Sequence, residues 1–139
     1  MFKQILLAYD GSEYSRRAAE LAGKLAREQK DCVVRIVCAV GDVPWGSSDP
    51  MAERWIAEQT LEGNRLIDEA SALVGNGVEI RRELVFQSPA EGILNVAETH
   101  QCDLIVIGTK GKGGFAGLFM GSQTQKVISM ANCPVLVVK

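Results

Sequence analysis

The residues best suited to chemistry stand in one short stretch. Gly108 and Gly111 are separated by Thr109-Lys110, and nine residues later the chain reaches Gly121-Ser122. Glycine lets main-chain amides approach a ligand with no Cβ in the way. A chain that re-enters a helix through Gly121-Ser122 also brings unpaired amides and a helix dipole that favour an anion such as phosphate. Ser122 and Thr124 add hydroxyl donors, and Lys110 and Lys112 bring positive charge nearby. Together these parts describe a polyphosphate cradle. The plainer alternative is that Gly108 ends a strand, Ser122 caps a helix, and the glycines between serve a surface turn.

Commoner motifs fit less well. The pattern G-x-x-x-x-G-K-[ST] is absent, so an ordinary P-loop is not supported. Gly111-Lys-Gly113-Gly-Phe-Ala116 matches G-x-G-x-x-A, but no acidic residue follows about 20 positions on to hold a ribose. Ser122 lacks a G-x-S-x-G elbow and a histidine partner, which argues against a hydrolase triad. The single histidine, His100, reads as a solvated imidazole at a helix end. Cys32, Cys38, Cys102 and Cys133 contain no C-x-x-C pair and read as buried, reduced thiols rather than metal ligands.

Apolar runs and amphipathic segments alternate along the chain and must position this loop. Gln4–Ala8 reads as a buried strand closed by Asp10-Gly11-Ser12, where Asp10 could also serve as a turn residue or helix cap. A helix over about Ser15–Glu28 follows, with Ala18, Leu21, Ala22 and Leu25 on one face. Val33–Val40 is β-branched and central in character. After the loop Gly41–Pro50, a long helix runs from Pro50 to about Val74, with Trp55, Leu66, Ala70 and Leu73 as its stripe, and Gly75-Asn76-Gly77 ends it. Val78–Phe86 carries Glu79, Arg81, Arg82 and Glu83, which suits an edge strand. Ser88-Pro89-Ala90-Glu91 reads as a capping box opening a helix to about His100. Leu104–Ile107 is a fully apolar strand. Ser122-Gln123-Thr124-Gln125 reads as a second capping box, opening a helix to about Met130, and Val135–Val138 is the last strand.

This β-α-β-α-β-α-β-α-β order predicts an α/β domain over residues 1–139. It would be a doubly wound three-layer α/β/α fold with a five-stranded parallel sheet in the order 3-2-1-4-5. Strands 1 and 4 would then be neighbours whose connections leave in opposite directions, opening a crevice at their C-terminal ends. Asp10 and Gly108 fall at those ends.

Bulk properties narrow the partners. With 15 basic and 17 acidic residues the formal charge is −2, and hydrophobic residues make up 47% of the chain. No basic stripe offers a nucleic-acid or membrane surface, and no apolar stretch reaches the roughly 20 residues that span a bilayer. The start, MFKQILLAYDG, does not resemble a signal peptide. A cytoplasmic location is the resulting expectation.

Several segments, in this order and at these spacings, resemble the universal stress protein family over essentially the whole chain. They are Ala8-Tyr9-Asp10-Gly11-Ser12, Pro89-Ala90-Glu91-Gly92-Ile93, Asp103 to Gly111, and Cys133 to Val138. The family's ATP-binding subgroup carries G-x2-G-x9-G-[ST], met here at Gly108, Gly111, Gly121 and Ser122. The resemblance implies an adenine nucleotide α hydrolase-like fold and ATP as ligand, accompanied by Mg²⁺. It implies adenine near Ala8, Asp10 and Val40, with Val40 offering backbone groups and Asp10 contacting either the nucleoside or a metal. Ile107 and Gly108 would lie beside the nucleotide. Gly111, Gly121, Ser122, Gln123 and Thr124 would hold the phosphates, with Lys110 adding charge.

The chain departs from the family where relatives often have histidine and arginine at Lys110 and Lys112, and a small apolar residue at Gln123. The resemblance further implies a homodimer paired through Val135–Val138. The reading is an ATP-binding stress-response regulator. A slow ATPase or phosphotransferase and a nucleotide-free adaptor are the alternatives. The apolar run Phe115, Leu118, Phe119 and Met120 reads as a helical turn tucked against the body, or as a lid. Trp45 and Trp55 could cover the crevice or a partner surface.

Overall fold

The computed structural model describes residues 1–46, 48–111 and 120–139. Five strands alternate with four helices: β1 (Gln4–Ala8), α1 (Glu13–Glu28), β2 (Val33–Ala39), α2 (Pro50–Val74), β3 (Glu79–Val85), α3 (Pro89–Thr99), β4 (Leu104–Gly108), α4 (Ser122–Met130) and β5 (Val135–Val138). All strand pairings are parallel, and the sheet order is β3-β2-β1-β4-β5. This is the expected doubly wound order. β1 and β4 are buried apart from Gln4, as strands covered on both faces must be.

The sheet separates two cores. On one face Ile5, Leu7, Val34, Ile36 and Val106 meet α1 and α2. On the other, Leu6, Val37, Ile105 and Ile107 meet α3 and α4. The buried face of α1 consists of Ser15, Ala18, Ala19, Ala22, Gly23 and Ala26, while Leu21 and Leu25 are half-buried. The apolar stripe is thus rotated from the leucines toward the small residues, which let α1 lie close to its neighbours. The approach is tightest at Gly23, where an added Cβ would stand 2.1 Å from the Val74 carbonyl oxygen of α2.

Helix starts differ from expectation in an informative way. α1 begins two residues early, because Ser12 is its cap and accepts from the Ser15 amide at 3.2 Å. Neither predicted capping box forms. Ser88 caps α3 without any side-chain bond, and the Ala90 amide instead donates to Gln123 Oε1 of α4 at 2.9 Å. At α4 the cap is Gly121, not Ser122, and Gln125 Nε2 turns back to the Met120 carbonyl at 2.9 Å.

His100 also departs from the solvated imidazole expected. It ends α3 with Nε2 3.0 Å from Glu83 Oε1, and the same oxygen takes a 2.8 Å bond from Arg35 on β2. β3 is the edge strand foreseen, with Glu79 paired to Arg81 and Arg82 to Asp68 of α2. Among the described residues, no helix is long and apolar enough to cross a membrane.

Candidate functional site

β1 continues through α1 toward β2 on one side, and β4 continues through α4 toward β5 on the other. Their C-terminal ends therefore part, and a cavity of about 260 Å³ opens there. Ala8 and Asp10 enter it from β1, and Ile107 and Gly108 from β4. Lys110 and Gly111 line it beside Gly121, Ser122, Gln123 and Thr124. Of the residues that the resemblance places at the nucleotide, Val40 stands outside the lining; its amide donates to the Val85 carbonyl of β3 at 2.9 Å. Trp45 and Trp55 are not among the lining residues. Lys112, Phe115, Leu118 and Phe119 lie outside the described residues.

The turn after β1 is held by short local bonds. Asp10 Oδ1 accepts from the Ser12 amide at 2.9 Å, and Ser15 Oγ donates to the Ser12 carbonyl at 3.0 Å. The second carboxylate oxygen of Asp10 faces the glycine loop, since a Cβ built on Gly111 would lie 2.2 Å from Oδ2. The two ends of the excursion after Gly111 are themselves joined. The Gly121 amide donates to the Thr109 carbonyl at 2.8 Å, and the Thr109 amide donates to the Val138 carbonyl of β5 at 2.8 Å. A Cβ on Gly121 would meet Lys110 Cα and Cβ at 3.2 Å.

Three helix N-termini border the cavity, and they are not equivalent. α1 is capped by the Ser12 side chain, and the first turn of α3 is occupied by Gln123. α4 begins with no side-chain cap among the described residues. Its first residues line the cavity, and the helix dipole there favours negative charge. Beside them, Lys110 is 8% exposed, with Nζ 5.4 Å from the centre of the Tyr14 ring. Thr124 contributes differently from the donor expected, because its buried hydroxyl donates to the Gly108 carbonyl at 2.9 Å. Ser122 lines the cavity and is exposed.

The other wall is apolar. Val37 and Ala39 of β2 and Pro89 and Ile93 of α3 line it, together with Ser12 and Ser15 of α1. Sequence reasoning missed these residues, although a signal existed. Val37 and Ala39 are two apart on a central strand, and Pro89 and Ile93 four apart on a helix, so each pair shares a face.

Tyr9 sits beside Asp10 but sends its ring into the α1–α2 core, where its hydroxyl donates to Glu69. Burial, followed by that bond, drives the Tyr9 phenol far above its usual value. The same bond holds the Glu69 carboxyl below its ordinary value, and Arg16 and Arg65 add to the effect. Burial also disfavours the thiolate form of three cysteines. It pushes Cys102 up to about 11 and raises Cys32 and Cys133. Among the described residues, no group of three or more His, Cys, Asp or Glu side chains could hold a metal ion.

The model of the universal stress protein family matches residues 1–139. The chain belongs to the universal stress protein family. A universal stress protein of Thermus aquaticus, encoded 3′ of a QAH/OAS sulfhydrylase, is 41% identical over all of both chains. The structure of hypothetical protein MJ0577 superposes with a TM-score of 0.88 at 27% identity, covering 100% of this chain and 96% of that one. A universal stress protein in complex with cAMP shares the fold at a TM-score of 0.74 and 23% identity, covering 99% and 97%.

Proposed function

We propose that this protein binds ATP in the crevice between β1 and β4 and acts as a nucleotide-responsive regulator. The observation that carries the proposal is the uncapped N-terminus of α4, set beside Lys110 in the same cavity as Asp10. An anion seated there would receive main-chain amides, the Ser122 hydroxyl and a lysine charge at once. The apolar lining of Val37, Ala39, Pro89 and Ile93 suits a flat base. The cAMP complex of a relative with the same fold supports an adenine nucleotide as the ligand class. ATP in particular rests on the G-x2-G-x9-G-[ST] spacing.

Magnesium fits this reading in a limited way. Mg²⁺ keeps several waters and takes one or two carboxylates plus substrate phosphates. Asp10 is the carboxylate that lines the cavity, and it would supply the protein ligand once a triphosphate is bound. The same inventory favours binding over turnover. Asp10 is already engaged by the Ser12 amide, and no histidine lines the cavity to act as a base.

A homodimer through β5 completes the proposal. Val135–Val138 forms an edge of the sheet and is only half-buried, and Ile128 and Met130 of α4 are exposed at 42% and 58%. An edge strand, paired to β4 on its inner side and flanked by apolar residues, suits addition of a second copy on its outer side. A sedimenting mass of one chain at micromolar concentration would contradict this pairing.

Calorimetry with ATP and Mg²⁺ tests the binding claim. Affinity tighter than millimolar in the parent, lost in Gly121→Val, is expected; equal heats for both proteins would reject the site. Steady release of phosphate by the parent would turn the reading toward an ATPase.

A further inference from the structure

Gln123 makes a contact that its position in the sequence does not suggest. It is the second residue of α4, yet its Oε1 accepts from the Ala90 amide in the first turn of α3, 2.9 Å away. α3 needs this acceptor, because its own cap Ser88 makes no side-chain bond. The first residue of α3, Pro89, has no amide hydrogen to offer. Hence one donor of this turn, the Ala90 amide, is occupied by a neighbouring helix, while α4 has no side-chain cap among the described residues.

We propose that Gln123 is a positioning residue that sets which of two neighbouring helix starts in the cavity receives an anion. By tying α4 to α3 it occupies the Ala90 amide and leaves the α4 terminus the more open of the two to phosphate. The inference rests on the nucleotide reading above for its ligand, but the tie itself can be judged without one. Phosphates are drawn to α4, and the uncharged base is left to the Pro89–Ile93 wall. An apolar residue at 123 would release the Ala90 amide, giving the cavity two competing anion-attracting helix ends.

The test uses the full-length protein with Gln123→Leu and Gln123→Glu. Gln123 is exposed, so neither change threatens folding. Amide hydrogen exchange at Ala90 in ligand-free protein should quicken at least fivefold in Gln123→Leu, in keeping with the loss of one hydrogen bond. Gln123→Glu retains an acceptor and should keep exchange within twofold of the parent. Titrations with ATP and with adenosine then separate positioning from general damage. In Gln123→Leu, ATP should weaken about fivefold and adenosine less than twofold.

Unchanged Ala90 exchange in Gln123→Leu overturns the proposal whatever the cavity binds. Equal weakening of ATP and adenosine overturns the orienting role. A parent that binds neither, yet shows Ala90 exchange dependent on Gln123, overturns the nucleotide reading while upholding the tie.

Discussion

Gly111 lies against the carboxylate of Asp10, a residue 101 positions earlier, so closely that a Cβ on the glycine would stand 2.2 Å from Oδ2. The turn after β1 and the turn after β4 thus form one surface. Each is fixed by its own bonds: the Ser12 amide on Asp10 Oδ1, and the Gly121 amide on the Thr109 carbonyl.

The first prediction follows from that contact. Gly111→Ala forces Asp10 or the loop to move, because 2.2 Å is far inside any real carbon–oxygen separation. ATP affinity measured by calorimetry should fall at least tenfold with the thermal midpoint little changed. Gly46→Ala, where an added Cβ meets nothing within 4 Å, is the control and should bind as the parent does.

Stability is predicted to depend on Gly23 rather than on the loop. Its substitute Cβ would lie 2.1 Å from the Val74 carbonyl oxygen, backbone that cannot yield without shifting α1 from α2. Gly23→Ala should cost about 1–3 kcal/mol in urea unfolding, the range for overpacked cores. An unfolding midpoint at or above the parent's would show that the two helices separate freely.

How much of this was legible in the sequence follows from the range of the interactions. Strand order and the crevice were readable, because the alternation of buried runs with amphipathic helices leaves few right-handed parallel arrangements. The same strand order put Asp10 and Gly108 at the two strand ends that open the crevice. Helix capping was misread wherever a distant partner intervened. Ser88 and Ser122 fit the local capping pattern, but Gln123 supplies the α3 acceptor from 33 positions away, and Gly121 starts α4 one residue earlier. His100 was misjudged for the same reason, since Glu83 reaches it across the sheet. Val37 and Ala39 escaped notice because their part in the cavity wall depends on which face of β2 turns toward α3.

Acid stability should carry the mark of Tyr9 and Glu69. The Glu69 carboxyl is held below its reference value of 4.5 in the folded chain, chiefly by the Tyr9 hydroxyl. The unfolded chain therefore takes up this proton first as pH falls. The resulting stabilisation is full above pH 4.5 and disappears as pH drops through the lower folded value. Tyr9→Phe should cost about 1 kcal/mol at neutral pH and flatten the loss of stability below pH 4.5. Parallel stability-versus-pH curves for parent and variant would remove Tyr9 from the account.

The claim that an anion is held by main-chain amides at the start of α4 is tested most directly by amide chemical shifts during titration with ATP and Mg²⁺. The largest changes should fall on Ser122, Gln123, Thr124 and Gly111, with smaller ones along Val37 to Ala39. Shifts confined to other surfaces, or none at millimolar nucleotide, would contradict it.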